Sequence, residues 1–173
     1  EQPESLARSI LPYINQASQA IELGEVADKL FTEADRAVAI ACGTAYYAAH
    51  TAKYWFEQKA RLALETDIAS EFRYRAPVLP QSGPALFVSQ SGETADTLAA
   101  LRYCRQNGTP AVAVVNVPES SIAREAAAIV PTHAGPEIGV ASTKAFTAQL
   151  SVLAVLALNA AKARGHLLPG DEA

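Results

Sequence analysis

The sequence predicts an α/β fold: a three-layer αβα domain on a doubly wound, five-stranded parallel sheet. Three observations lead there. Five short apolar runs lack the polar alternation of a half-exposed strand, segments of helical periodicity separate them, and no linker or internal repeat divides residues 37–165. Parallel neighbours need a crossover that is normally right-handed, so alternating strands and helices cover both faces of one sheet.

The elements follow in order. Leu6, Ile10 and Leu11 sit at helical spacing and residues 26–31 give a second short run, so residues 1–36 read as an N-terminal helical arm. Ala37-Val38-Ala39-Ile40-Ala41 is the first buried strand and ends at Cys42-Gly43-Thr44. Ala45, Ala48, Ala49, Ala52, Trp55 and Phe56 then share one helical face, while Lys53, Glu57 and Lys59 lie elsewhere. A weaker strand over 62–65 and a short helical piece over 70–74 precede the strand Ala85-Leu86-Phe87-Val88. A helix carrying Leu98, Leu101 and Cys104 stops at Asn107-Gly108, a pair that tolerates the left-handed conformation of a helix end. Ala111-Val112-Ala113-Val114-Val115 is the clearest strand, residues 120–127 a short helix, and Ile129-Val130 a brief last strand. A loop over 133–139 leads to a helix from about 142 to 164, closed at Gly165; residues 166–173, with Pro169 and Gly170, read as a tail or the start of a linker.

Composition narrows the function. A chain of this length buries about 70% of the surface its unfolded form exposes, so it needs neither metal nor disulfide to fold. Cys42 and Cys104 form no C-x-x-C pair and have no His cluster beside them, which disfavours zinc and disulfides and fits a reducing cytoplasm. No metal and no cofactor is expected. The 14 Lys and Arg against 18 Asp and Glu are scattered, so no basic stripe offers itself to nucleic acid. The longest apolar stretch, 150–158, is too short to span a bilayer and reads as a buried helix, and no charged-then-apolar leader opens the sequence. Met is absent, even at position 1, which points to a fragment or a processed chain.

In a doubly wound sheet, ligands bind beyond the carboxyl ends of strands near the reversal in strand order. Cys42-Gly43-Thr44 and Ser89-Gln90-Ser91-Gly92-Glu93-Thr94 both fall at such ends. The second segment places three hydroxyls and a glycine where orphan N–H groups and the positive end of a helix dipole converge. Those donors suit a phosphate monoester, whose oxygens only accept, without a lysine. The plainer alternative is that the hydroxyls serve as caps and turn formers. Rival signatures fail: there is no G-x-G-x-x-G after the first strand, Gly139 to Lys144 lacks the glycine a Walker A loop has before its lysine, and Ser91 has Ser89 rather than glycine two residues before it. Cys42 as a nucleophile lacks a sequence-near His or Asp to activate it, so a pocket-lining role is favoured.

Taken with the run from Gly135 to Phe146, these two segments resemble the SIS (sugar isomerase) domain family. Within it, the chain is similar to the first of the paired SIS halves in the isomerizing aminotransferases that make glucosamine 6-phosphate from fructose 6-phosphate and glutamine-derived ammonia. Residues 70–75, 94–99 and Asn116-Val117-Pro118 add to the likeness, which covers nearly the whole sequence. The resemblance implies flavodoxin-like strand order and a hexose 6-phosphate ligand. Its phosphate would meet Ser89, Gln90, Ser91 and Thr94, its sugar would meet Cys42, Gly43 and Thr44, and Val140 and Ser142 would line the same pocket. It further implies a homodimer through SIS surfaces, no nucleic-acid or membrane partner, and no catalytic residue in this half, because the general base lies in the second one. Two alternatives stand beside it, a non-catalytic SIS sensor of sugar phosphates and a stand-alone phosphosugar isomerase. Ala45 departs from the family, which usually has serine there. Glu137 and Glu93 are the only pocket-near carboxyls, and Glu93 is expected to face away from a phosphate it would repel. His50, His133 and His166 are not expected to act as ligands.

Overall fold

A computed structural model describes residues 2–137 and 143–167. Helices α1 (Gln2–Ile10) and α2 (Glu25–Thr32) lead into strand β1 (Arg36–Ala41) and helix α3 (Thr44–Trp55). Strand β2 (Ala63–Ile68), the short α4 (Ala69–Phe72), β3 (Ala85–Ser89) and α5 (Ala95–Gln106) follow. Then come β4 (Ala111–Val115), α6 (Ser121–Glu125), β5 (Ala128–Pro131) and α7 (Lys144–Ala163). All neighbouring strands pair parallel in the order β2-β1-β3-β4-β5. The expected architecture, including the flavodoxin-like order, is present.

Strand parity builds the two outer layers. Ala37, Ala39 and Ala41 of β1 share one core with Leu86 and Val88 of β3 and Val112 and Val114 of β4. That core is filled by α3, by α7, and by Tyr13, Ile21 and Phe31 from the N-terminal stretch. The alternate residues Val38, Ile40, Phe87, Ala113 and Val115 face the opposite way, onto α4, α5 and α6. Because both faces are covered, the central strands are apolar throughout rather than alternating.

Two elements differ in detail from the sequence expectation. Strand β2 runs on to Ile68 through Glu65, Thr66 and Asp67, because its backbone stays in register with β1 from Arg36 opposite Ala63 to Ala41 opposite Ile68. It is an edge strand with only Leu64 fully buried, so its side chains carry little apolar signal. The helix begun by α3 continues past Phe56, but as a wider π-helical turn over Phe56–Ala60, which ends on Arg61 in the left-handed region. The wider turn seats Phe56 against Phe31, with ring centroids 5.8 Å apart.

Helix α7 has the length and hydropathy of a membrane-crossing segment, a mean of 1.4 over 18 residues, yet most of that window is buried within the protein. Its C-terminal neighbour Arg164 ties three chain segments together. Nε donates to the Ala60 carbonyl at 2.9 Å, and one terminal nitrogen donates to the carbonyls of Phe31 and Ala34 at 3.1 and 2.8 Å. These acceptors lie at or just beyond the ends of α2 and the π-turn, where carbonyls lack helical partners and favour a cation. Replacing Arg164 by Ala should therefore cost about 2–3 kcal/mol in urea unfolding. Lysine, a point charge without the planar fork, should recover less than half of that loss.

Candidate functional site

Strand order reverses between β1 and β3. From β1 the chain crosses by α3 to β2 on one side; it returns by α4 to β3 on the other side of β1 and continues outward. Helices α3 and α5 consequently start from adjacent strand ends but pack on opposite faces. Between them opens a cavity of about 310 Å3, lined by Cys42, Thr44 and Ala45 after β1 and by Ser89, Gln90, Ser91 and Thr94 after β3. Glu137 and Gln149 complete the far wall, with Val88 beneath.

The turn after β3 is held by its own hydroxyls. Ser89 is buried, and its Oγ accepts the Gly92 N–H at 3.0 Å and lies 3.3 Å from Thr94 Oγ1. Ser91 Oγ accepts the Glu93 N–H at 3.2 Å. Gly92 has φ +66°, and a methyl there would come within 2.0 Å of Ser120 Oγ, the atom that caps α6 through the Ala123 N–H. Only glycine fits both the conformation and the contact. Glu93 is exposed and points to α6, where Oε1 accepts the Ser121 N–H at 2.7 Å; that bond holds its carboxyl below the usual glutamate range. As expected, it turns away from the phosphate-type donors.

The three helix starts around the cavity are finished differently. Thr94 precedes α5 but gives that helix no side-chain cap, its hydroxyl lying instead toward Ser89. Gly43 precedes α3 with φ +60° and ψ −137° and has no side chain to offer. The first-turn N–H groups of both helices thus have no side-chain acceptor among the described residues, and both dipoles present their positive ends here. Helix α7 is the contrary case, since Glu137 accepts the N–H groups of Thr143, Lys144 and Ala145 at 2.8, 3.2 and 3.1 Å. None of the described residues lining the cavity is basic. Charge for an anion would come from backbone dipoles and hydroxyls.

Seven of the sequence-predicted residues meet at this one place: Cys42, Gly43, Thr44, Ser89, Gln90, Ser91 and Thr94, with Gly43 shaping the turn and the other six lining the cavity. Val140 and Ser142 lie outside the described residues. Glu137 is in the wall, but its bonds to three amides make it a helix cap rather than a free base. The histidines stand elsewhere. His50 Nδ1 pairs with Thr66 Oγ1 at 2.9 Å and His133 lies beside Tyr13. Cys104 is buried in the opposite core, which pushes its thiol up to about 12.

Two contributions escaped the sequence reading. Asn116, after β4, donates from Nδ2 to the Gly135 carbonyl at 2.9 Å, while its Oδ1 accepts from Thr132 Oγ1 and the Ala134 N–H. It moors the loop carrying Glu137 next to the Gln90 carbonyl, which accepts the Asn116 N–H at 3.2 Å. An asparagine directly after a buried strand was the available signal. The other is Gln149, a polar residue 2% exposed within the apolar α7.

Comparison with known proteins agrees with the fold. Residues 30–159 match the SIS domain family. The chain is 56% identical over 172 residues to the glutamine–fructose-6-phosphate aminotransferase (isomerizing) of Bradyrhizobium diazoefficiens, covering 99% of this chain but 28% of that protein. Its fold superposes on the C-terminal domain of glucosamine-fructose-6-phosphate aminotransferase from Francisella tularensis with a TM-score of 0.94 and 42% identity, over 99% of this chain and 48% of that one. A glucosamine-6-phosphate deaminase from Thermotoga maritima, 22% identical over 93% of this chain and 49% of that one, shares the fold at a TM-score of 0.69.

The Gly92 turn supplies a stability test. Gly92→Ala combines left-handed strain with a methyl forced onto Ser120, and should cost about 2–5 kcal/mol in equilibrium denaturation. Gly43→Ala, whose new methyl meets nothing within 4 Å, should suffer from the backbone strain alone and lose about 1–2 kcal/mol.

Proposed function

Because the chain belongs to the SIS domain family, we propose that it is the hexose-6-phosphate-binding half of the isomerase region of an isomerizing glutamine–fructose-6-phosphate aminotransferase, working as a homodimer in the cytoplasm. The observation that carries this reading is the cavity at the strand reversal, rimmed by hydroxyls and two uncapped helix starts and lined by no cation among the described residues. A phosphate monoester offers three acceptor oxygens and about −1.5 to −2 charge. Serine and threonine hydroxyls together with the first-turn amides of α5 can satisfy it fully.

In this reading the phosphate sits over Ser89, Gln90, Ser91 and Thr94. The sugar extends toward Cys42, Gly43 and Thr44, and the family resemblance adds Val140 and Ser142 to the residues that would contact it. The family reaction adds ammonia at C2 of the open-chain sugar and moves a proton from C1 to C2, which requires a base within reach of a carbon-bound hydrogen. Glu137 is the one carboxyl lining the cavity among the described residues, and it is occupied with the α7 amides. This half therefore binds and orients the sugar phosphate, and the proton transfer falls to the partner half. The chain spans about 28% of the length of its Bradyrhizobium relative, which leaves ample sequence for such a half.

Titration calorimetry decides the matter. Fructose 6-phosphate and glucosamine 6-phosphate should bind and fructose should not; binding that ignores the phosphate, or none at millimolar ligand, would overturn the proposal. Ser91→Ala combined with Thr94→Val should weaken sugar-phosphate binding at least ten-fold, since each removes a hydroxyl contact to a charged group. Ala45, 8% exposed in the first turn of α3, borders the same cavity. Restoring a hydroxyl with Ala45→Ser should tighten sugar-phosphate binding by about two- to ten-fold, the equivalent of one hydrogen bond of roughly 0.5–1.5 kcal/mol.

A further inference from the structure

We infer that Gln149 reads a sugar hydroxyl in this cavity and so selects phosphorylated sugars over phosphate itself, an assignment that rests on the sugar-phosphate reading above. Gln149 stands in the second turn of α7 and forms part of the cavity wall. It is 2% exposed, and its Oε1 is buried with no hydrogen-bond partner among the described residues. A buried amide oxygen left unpaired is costly, and native proteins seldom keep one without a use.

The hydrogen-bond inventory of the cavity says what that use is. The hydroxyls and the first-turn amides of α5 assigned to the phosphate donate to it. Among the described residues lining the cavity, the Glu137 carboxyl already takes three N–H groups, and Gln149 Oε1 is the one buried side-chain oxygen left without a partner. Gln149 Oε1 is thus an acceptor in want of a donor. A phosphate dianion has no proton to give, whereas a sugar hydroxyl donates to Oε1 and can accept from Nε2 of the same amide. One molecule that satisfies both ends of the cavity carries an anionic phosphate and a hydroxylated chain. A site that hydrogen-bonds a hydroxyl rejects ligands lacking it far better than an apolar wall does.

Gln149→Leu separates a ligand-reading role from a structural one. Leucine keeps the bulk and removes the orphan acceptor, so the unliganded variant should melt at the same temperature as the parent or higher. Its affinity for fructose 6-phosphate should fall about ten-fold, while that for inorganic phosphate should change less than two-fold. A series of singly deoxygenated hexose 6-phosphates, titrated into both proteins, should contain one member that binds the two equally well; that member identifies the hydroxyl. A lower melting temperature with unchanged fructose 6-phosphate affinity, or equal losses for sugar phosphate and phosphate, would overturn the inference while leaving the phosphate site intact. Failure of the parent to bind fructose 6-phosphate would instead refute the proposed function, and this assignment with it.

Discussion

The reversal of strand order between β1 and β3 is the constraint on which the rest of the structure depends. A chain that keeps one crossover hand must change faces when it changes direction across the sheet. Helix α3 therefore covers one face and α4, α5 and α6 the other. The strands beneath are closely packed, with Ala39, Ile40, Phe87 and Val114 fully buried. The cavity lies beyond the strand ends, where α3 and α5 diverge. Two helix starts and two strand-to-helix turns share its rim.

What those starts lack matters as much as what they hold. A helix ordinarily finishes its first turn with a side-chain acceptor, as Ser120 does for α6 and Glu137 does for α7. At α5 the residue in that position is Thr94, well suited to capping, yet its hydroxyl is directed to Ser89. The α5 and α3 amides without a side-chain acceptor among the described residues, and the buried, unpaired Gln149 oxygen, all border one cavity, and the oxygen costs stability where it stands. Stability forgone locally and recovered on binding is a common arrangement in functional sites, and the well-packed cores on either face can sustain it.

The site is also moored from a distance. Asn116 holds the loop after β5, that loop carries Glu137, and Glu137 fastens the first turn of α7, so the wall bearing Gln149 is set relative to the Ser89–Thr94 turn through a short series of hydrogen bonds. Arg164 does similar service at the other end of α7, joining it to α2 and the π-turn. Helix α7 is thus pinned at both ends. Its apolar length, which in isolation resembles a membrane segment, serves as the packed centre of one layer.

The sequence by itself determined the fold class, the positions of β1, β3 and β4, and the hydroxyl-rich turn, because fully buried strands impose uninterrupted apolar runs and a helix start marks itself by small polar residues. It under-read β2, whose polar residues 65–67 are held by backbone pairing at an edge rather than by burial, and it missed the π-turn, which answers to the packing of Phe56 on Phe31. Only the tertiary structure decided that Glu137 is a cap, that Asn116 is a tether, and that Gln149 faces a cavity. Each of these roles depends on which partner lies across space, and hydrogen-bond partners 6 to 19 residues apart in the chain, or a wall assembled from three elements, leave no periodic trace in the order of residues.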